Sequence, residues 1–133
     1  MFLDASAVVA ILIKAPESEL LVEKLERAET RLTSPLAKYE TVLAIQRLLS
    51  LPSIAATRFA VDRFFALYDV RTVDITLEVG DRALAAFEHY GKGRHKARLN
   101  MGDCFAYALA KARNLPLLFK GGDFSRTDIE AAL

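Results

Sequence analysis

The 133-residue sequence predicts an α/β fold in which helices cover both faces of a mainly parallel sheet. Short apolar runs alternate along it with segments of helical periodicity, the order that produces parallel strands joined by crossover helices. The length suits one domain over residues 1–133, and a content of 53% hydrophobic and 26% charged residues is typical of a globular chain. Sheets of this kind bind ligands at the carboxyl ends of their strands.

The first half of the chain predicts two strands and four helices. In order, these are a strand at residues 1–3, helices at 5–12 and 17–28, a strand at 31–33, a helix at 34–49 and a helix that opens at 53. Ser34 and Pro35 mark a helix start, because serine caps a helix and proline at the first helical position loses no needed hydrogen bond. Four large apolar residues of the last helix are expected to be mostly core: Phe59, Phe64, Phe65 and Leu67.

The second half predicts the remaining two strands. In order, the elements are a strand at residues 70–73, a helix at 76–90, a basic loop at 91–99, a helix at 101–113 and a strand at 117–119. Asn100 is expected to cap the helix at 101–113, with Asp103 at its third position. The glycines at 121 and 122 predict a turn, and the tail beyond them is expected to hold one more short strand or turn.

Four widely separated acidic residues can meet at one edge of this fold. Asp4 directly follows the first strand, and Asp123 lies just beyond the last strand, across the glycine turn. Glu40 and Asp103 lie in the first two turns of their helices. Strand ends and the starts of the following helices share one edge of a parallel sheet, so all four carboxylates are expected to converge there.

Each of these acids also has a purely structural interpretation. Asp4 can be a helix N-cap, Asp103 can favour the positive end of its helix, and Asp123 can be an ordinary turn residue. Glu40 shares a helical stripe with Arg47, so a structural ion pair is the alternative there.

Four gathered carboxylates would repel one another, and a divalent cation would resolve this repulsion. Hard oxygen ligands favour Mg²⁺ or Mn²⁺, and no histidine pair or cysteine cluster suggests zinc. Such an ion activates water and offsets negative charge on a phosphate, which is chemistry suited to phosphodiester hydrolysis. The spacing leaves open whether one ion binds or two.

Five stretches of the chain resemble the PIN-domain family, and within it the VapC-type toxins of bacterial toxin–antitoxin pairs. They are residues 2–6 (FLDAS), Ser34-Pro35 followed by Glu40, residues 90–95 (YGKGRH), residues 99–111 (LNMGDCFAYALAK) and residues 117–124 (LLFKGGDF). Their order and spacing cover nearly the whole chain, and the stretch from Tyr90 to Lys111 is highly specific.

The resemblance implies a three-layer α/β/α fold and an endoribonuclease that depends on Mg²⁺ or Mn²⁺ and acts as the toxin of such a pair. It maps the family's catalytic, metal-binding acids onto Asp4, Glu40, Asp103 and Asp123. Asp128 is a nearby substitute for the last of these, and Ser6 and Asn100 are expected to support the site. The resemblance also implies a homodimer, and a small antitoxin that blocks the site, often by inserting a basic side chain among the carboxylates.

A basic loop immediately precedes the helix that carries Asp103. Its basic residues are Lys92, Arg94, His95, Lys96 and Arg98. The loop is either a solvated surface or a rim that grips the phosphates of an RNA strand beside the negative pocket. Gly91 and Gly93 would let such a rim adapt to its substrate. Phosphate contacts position a strand without reading its sequence, so the RNA target stays open.

Composition excludes several classes of protein. The longest apolar runs fall short of the roughly 20 residues that a membrane span needs, and no signal peptide is expected. The single cysteine, Cys104, excludes an intrachain disulfide, is expected in the core and favours a cytoplasmic location. A net charge of +1 does not by itself indicate a nucleic-acid-binding protein.

Two non-enzymatic functions compete with the nuclease hypothesis. A receiver-like regulatory domain also gathers acids and a lysine at strand ends, and Lys120 could be that lysine. No phosphate-accepting aspartate directly follows the strand at 70–73, however, and Asp74 comes closest. The other alternative is a catalytically inert PIN-like binding module, against which the presence of all four acids argues.

Overall fold

The structure is a computed structural model that describes residues 1–133. Its strands are β1 (Phe2–Leu3), β2 (Leu32–Thr33), β3 (Arg71–Thr72) and β4 (Leu117–Leu118). Its helices are α1 (Ala5–Leu12), α2 (Ser18–Arg27), α3 (Pro35–Leu49), α4 (Ile54–Leu67), α5 (Leu77–Tyr90) and α6 (Met101–Ala112). A 3₁₀ turn at Phe124–Arg126 follows β4. All predicted strands and helices are therefore present.

The four strands form one parallel sheet in the order β3-β2-β1-β4. Phe2 of β1 is in register with Leu32 of β2 on one side and with Leu117 of β4 on the other. The chain moves outward from β1 to β3 and then returns through α5 and α6 to the other side of β1. The strand order consequently reverses between β1 and β4, and such a switch point is where open α/β sheets bind ligands.

Successive strand residues build two separate cores, one on each face of the sheet. Phe2 and Leu117 pack into a cluster with α5 and α6. The next residues along, Leu3 and Leu118, pack into a cluster with α1, α2 and α4. Because neighbouring strand side chains point to opposite faces, two-residue strands are enough to anchor a helical layer on each side. The predicted three-layer α/β/α arrangement is confirmed.

Side-chain caps fix where the helices begin. The Ser34 hydroxyl accepts a hydrogen bond from the Ala37 N–H at 3.0 Å, and the Ser53 hydroxyl accepts one from the Ala56 N–H at 3.0 Å. Asn100 caps α6 through its Oδ1. Each such cap contributes about 1 kcal/mol to helix stability. The helix starts predicted at these three residues are confirmed.

The expected core of α4 is only half right. Phe64 and Phe65 are buried, but Phe59 is 64% exposed and Leu67 is 76% exposed. At 100° per residue, Phe59 and Leu67 lie on one stripe of the helix, roughly opposite the stripe of Val61 and Phe65. Phe59 and Leu67 therefore form an exposed apolar surface.

Two smaller expectations are confirmed. The tail beyond the 3₁₀ turn pairs with the sheet, because Ala131 forms a parallel bridge with Leu117. Cys104 is buried among the α5 and α6 residues, and burial raises its pKa to about 11. None of the helices is both long and apolar enough to span a membrane.

Candidate active site

The candidate site lies at the carboxyl edge of the sheet, between β1 and β4. Asp4 directly follows β1, and its backbone N–H donates to the Leu118 carbonyl of β4 at 3.0 Å. Glu40 lies in the second turn of α3, Asp103 in the first turn of α6, and Asp123 at the start of the 3₁₀ turn after β4. The fold thus directs all four elements that carry these acids to the edge where the strand order reverses.

Asp4 is the most deeply buried of the four acids, with only 5% of its surface exposed. Its Oδ2 caps α1 by accepting hydrogen bonds from the Ser6 N–H at 2.9 Å and from the Ser6 hydroxyl. The same hydroxyl accepts the Lys120 N–H at 3.0 Å, so Ser6 links Asp4 to the segment after β4. Burial raises the pKa of Asp4, and the hydrogen bonds from Ser6 oppose that rise.

Asp103 forms a reciprocal capping box with Asn100. The Asp103 N–H donates to Asn100 Oδ1, and the Asn100 N–H donates to Asp103 Oδ2, both at 2.9 Å. Burial raises the pKa of Asp103 to about 6, and the negative charges of Asp4 and Asp123 add to the rise. The hydrogen bond from the Asn100 N–H lowers this pKa and so opposes the rise. The structural interpretation of Asp103 is therefore correct, but it does not account for the gathered charge.

Glu40 approaches Asp103 from the neighbouring helix. Its carboxylate lies directly against Gly102 of α6, because a Cβ placed on Gly102 would be only 2.2 Å from Glu40 Oε2. Burial raises the pKa of Glu40 to about 7, with the charges of Asp4 and Asp103 adding to the effect. The alternative of a structural ion pair with Arg47 is wrong, since the ion pairs of the structure do not include it.

Of the two candidates for the last acid, Asp123 is the one whose charge acts on Asp103. Asp123 is exposed, caps nothing with its side chain, and lies close enough for its charge to raise the pKa of Asp103. Asp128 is engaged elsewhere, because it accepts hydrogen bonds from the Tyr107 hydroxyl at 2.5 Å and from Lys111 Nζ at 2.9 Å. Tyr107 and Lys111 lie one and two turns beyond Asp103 along α6.

The donor set fits a hard divalent cation. The hydrogen bonds from Ser6 and from Asn100 go to Oδ2 of Asp4 and of Asp103, which leaves Oδ1 of each carboxylate for an ion. As they stand, no three acidic, histidine or cysteine side chains form a closed ligand group. Mg²⁺ commonly binds through one or two carboxylates and completes its octahedron with waters and phosphate oxygens, so two carboxylates suffice.

The basic loop is held in place by backbone hydrogen bonds. The Lys92 N–H donates to the Leu99 carbonyl at 3.0 Å, and the Leu99 N–H donates to the Tyr90 carbonyl at 2.9 Å. Ala97 and Leu99 are fully buried beneath the loop. Four of its basic side chains are exposed: Lys92, Arg94, Lys96 and Arg98. The loop therefore presents a fixed cationic surface immediately before the helix of Asp103.

His95 and Gly91 serve the structure of the loop itself. His95 Nδ1 accepts the Ala97 N–H at 3.1 Å, and its ring packs edge-on against Tyr90 with centroids 5.2 Å apart. Gly91 is required because a Cβ there would be 2.4 Å from the Phe87 carbonyl oxygen. Its role is thus close packing rather than the adaptability expected from the sequence, whereas Gly93 does adopt a left-handed φ of 86°.

One feature of the site was not found from the sequence. Gly102 was not singled out, although a glycine in the first turn of a helix, where alanine favours helix formation, is a signal of close approach.

Lys120 pairs with Glu17 at 2.9 Å. It does not pair with Asp4 as the lysine of a receiver-like domain would, so that competing interpretation loses its support.

Comparison with known proteins gives consistent matches. The PIN domain family model matches residues 1–130. A VapC ribonuclease of Rhizobium meliloti is 42% identical, covering 96% of this chain and 98% of its own length. Ribonuclease VapC30 of Mycobacterium tuberculosis is 41% identical, covering 97% of this chain and 95% of its own length.

Solved structures share the fold at much lower identity. VapC20 of Mycobacterium tuberculosis, described as a Sarcin-Ricin loop cleaving toxin, has a TM-score of 0.74 at 17% identity over 96% of this chain and 95% of its own. A toxin–antitoxin complex from Klebsiella pneumoniae has a TM-score of 0.68 at 16% identity, over 96% of this chain and 92% of that one. The α/β/α architecture of this chain is therefore shared with both structures.

Proposed function

This chain belongs to the PIN-domain family, and on that premise we propose that it is an endoribonuclease that requires Mg²⁺ or Mn²⁺ and acts as the toxin of a toxin–antitoxin pair. The observation that carries the proposal is the convergence of Asp4, Glu40 and Asp103 at the switch point between β1 and β4. Their charges act on one another, and no lysine or arginine is paired with any of them. A divalent cation relieves that repulsion.

We assign the protein's side chains the following tasks. Asp4 and Asp103 hold the ion through Oδ1, and Ser6 and Asn100 keep these carboxylates oriented through hydrogen bonds to Oδ2. When bound, the ion supplies water activation and neutralises charge on the phosphate. Glu40 carries no ion-pair partner, so its carboxylate is available to accept a hydrogen bond from water. Asp123 adds negative charge at the exposed side of the site, next to Asp103.

The direct test is cleavage of RNA by the purified chain. We expect cleavage with Mg²⁺ or Mn²⁺, none in excess chelator, and recovery when the ion is restored, because two carboxylates without an ion repel a phosphate. A single-stranded DNA of the same sequence serves as the comparison substrate. Cleavage that continues in chelator would show that the acids do not act through a cation.

Gly102→Ala should lower cleavage without lowering stability. The added Cβ would lie within 2.4 Å of both Glu40 carboxylate oxygens, so this flexible side chain must move away from its position beside Asp103. Alanine stabilises a helix relative to glycine by up to about 1 kcal/mol, so the substitution should not destabilise the fold. We expect a loss of at least about tenfold in kcat, since a small misplacement of a catalytic group has costs of this order.

The matched control for this variant is Gly80→Ala. Gly80 is also a helical glycine, in α5, but a Cβ there meets nothing within 4 Å. This variant should match the wild-type rate and melt at the same or a higher temperature. Equal activity of both alanine variants would show that the position of Glu40 beside Gly102 is unimportant.

We propose that the basic loop holds the RNA backbone beside the acids. Its exposed cations precede α6 directly, and the buried residues Ala97 and Leu99 fix the loop beneath them. The residues proposed to contact RNA are Lys92, Arg94, His95, Lys96 and Arg98. Of these, His95 has the weakest claim, because its Nδ1 is already used within the loop.

Removing two loop cations should weaken RNA binding in a salt-dependent manner. For Lys92→Ala combined with Lys96→Ala, we expect a higher KM and a shallower plot of log KM against log salt. Each lost phosphate contact on a single strand lowers that slope by about 0.7. Binding titrations between low and moderate salt measure the slope. An unchanged slope would show that these lysines are only a solvated surface.

Two apolar surfaces are proposed for protein partners. A groove of about 460 Å³ between α1 and α3 opens beside Ser6 and Glu40 and carries the exposed side chains of Tyr39, Leu43 and Leu48. We propose that an antitoxin lies in this groove and thereby covers the acids.

The exposed face of α5 and the start of α6, which includes Leu84, Phe87 and Met101, is proposed as the surface of a homodimer.

A further inference from the structure

A second polar pocket lies outside the acidic site, between α5 and α6. It is an open cavity of about 340 Å³. Its functional side chains are three basic, two aromatic and one acidic: Arg82, His89, Lys111, Tyr90, Tyr107 and Asp128. The chemistry proposed for the acidic site uses none of them. Tyr90 and Tyr107 are half-buried against the core on this face of the sheet, and both also line the pocket.

The groups of this pocket are held in place by one another. Asp128 accepts hydrogen bonds from the Tyr107 hydroxyl and from Lys111, while the rings of Tyr90 and Tyr107 have centroids 5.6 Å apart. Lys111 Nζ also lies 5.9 Å from the centroid of the Tyr107 ring. His89 Nδ1 donates a hydrogen bond to the Ala85 carbonyl at 2.9 Å. Aromatic faces, cations and a fixed acceptor are thus present together before any ligand binds.

The pocket lies one to two turns of α6 beyond Asp103 and beside the basic loop. Tyr107 and Lys111 follow Asp103 by one and two turns of α6, which places them about 6 and 12 Å along the helix. The basic loop begins directly after Tyr90, and the His95 ring of that loop packs against it. An RNA strand that is cleaved at the acids and contacts the loop would have bases within reach of the pocket a few nucleotides away.

We propose that this pocket binds one nucleobase of the RNA substrate, a few nucleotides from the cleaved bond. The inference rests on the proposed ribonuclease function. Tyr107 and Tyr90 supply a stacking surface, Arg82 and Lys111 supply positive charge for the flanking phosphates, and His89 lines the pocket beside them. Asp128 only accepts hydrogen bonds, which favours a base edge that carries N–H donors. Single-stranded RNA is read through such stacked, splayed-out bases, so the pocket contributes to target choice.

The experiment uses a short RNA cleaved at one position, and a series in which each base near the cut is removed in turn. For the wild-type chain, removal of one particular base should raise KM at least about fivefold, the lower end of what base–aromatic stacking contributes. For Tyr107→Leu, removal of that same base should have no further effect. All other removals should affect both proteins alike.

A charge variant tests the pocket without disturbing its packing. Arg82→Ala removes an exposed arginine that pairs with Glu78 one turn away at 2.9 Å. The matched control is Arg27→Ala in α2, which removes an exposed arginine in the same kind of pair with Glu23 at 2.8 Å. We expect Arg82→Ala to raise KM several-fold and to lower its salt dependence, and Arg27→Ala to behave as the wild type.

Three outcomes decide the proposal. A base-specific loss that disappears in Tyr107→Leu, together with a KM effect of Arg82→Ala alone, supports it. Equal sensitivity of wild type and Tyr107→Leu to every base removal, or equal KM values for the two arginine variants, overturns the pocket and leaves the ribonuclease intact. A wild-type chain that cleaves no RNA overturns the proposed function and the pocket with it.

Discussion

Replacing either Asp4 or Asp103 with asparagine should abolish RNA cleavage while the fold remains in place. Asparagine keeps the size of the side chain and an oxygen that can accept the capping hydrogen bonds of α1 and α6, but it removes the charge that holds a cation. Such an ion supplies several kcal/mol of transition-state stabilisation. Each 1.4 kcal/mol is a factor of ten, so the loss should be on the order of a thousandfold or more.

The control for this change is Asp62→Asn. Asp62 lies on α4, where it pairs with Lys38 and Arg58, outside the acidic site. It should retain the wild-type rate, and circular dichroism should show the same helix content for all three variants. Wild-type cleavage by Asp4→Asn or by Asp103→Asn would overturn the assignment of the site. Loss of helix content would instead mean that these carboxylates act mainly as helix caps.

The positions of Asp4 and Asp103 were predictable because each is fixed by local sequence. Asp4 ends a short apolar run that is typical of a buried strand, and Asp103 is three residues after a capping asparagine. Local signals of this kind place a residue at a strand end or a helix start. The parallel order of the strands then brings those ends to one edge, so two of the acids follow from the fold class alone.

The contacts of the other two acids depend on tertiary structure, which spacing does not encode. Glu40 is placed by the approach of α3 to α6 at Gly102, two segments that are far apart in the chain. The pairing of Asp128 with Tyr107 and Lys111 favours Asp123 as the last acid of the proposed site. Nothing in the sequence indicates which turn of the tail lies over which turn of α6.

The raised pKa values of Glu40 and Asp103 also predict how stability depends on pH. In chelator, the free energy of unfolding should fall as the pH rises from about 5 to 8. Burial and neighbouring charge raise the pKa of Glu40 to about 7 and that of Asp103 to about 6, whereas unfolding returns both to about 4. Between these limits the folded chain binds more protons than the unfolded chain, so stability decreases as the pH rises.

The size of this decrease can be bounded. One pKa unit corresponds to about 1.4 kcal/mol, but part of each rise is the same mutual repulsion, and both side chains are partly exposed. A total of about 2 kcal/mol is a reasonable expectation, or roughly 6–10 °C in Tm for a chain of this length. Saturating Mg²⁺ or Mn²⁺ should remove most of the decrease, because the ion binds only the ionised carboxylates.

Glu40→Gln isolates the contribution of Glu40 from that of every other titrating group. Glutamine has the same shape and no charge, so in chelator at pH 8 this variant should melt at a higher temperature than the wild type, and at pH 4 the difference should be much smaller. The lowered pKa of the Met1 amino group acts in the opposite direction near pH 8, but it is common to both proteins and cancels in the difference. Cleavage should fall in the same variant, and that combination would show that Glu40 is retained at the expense of stability. A Glu40→Gln chain that melts below the wild type at pH 8 would instead show that the Glu40 carboxylate stabilises the fold.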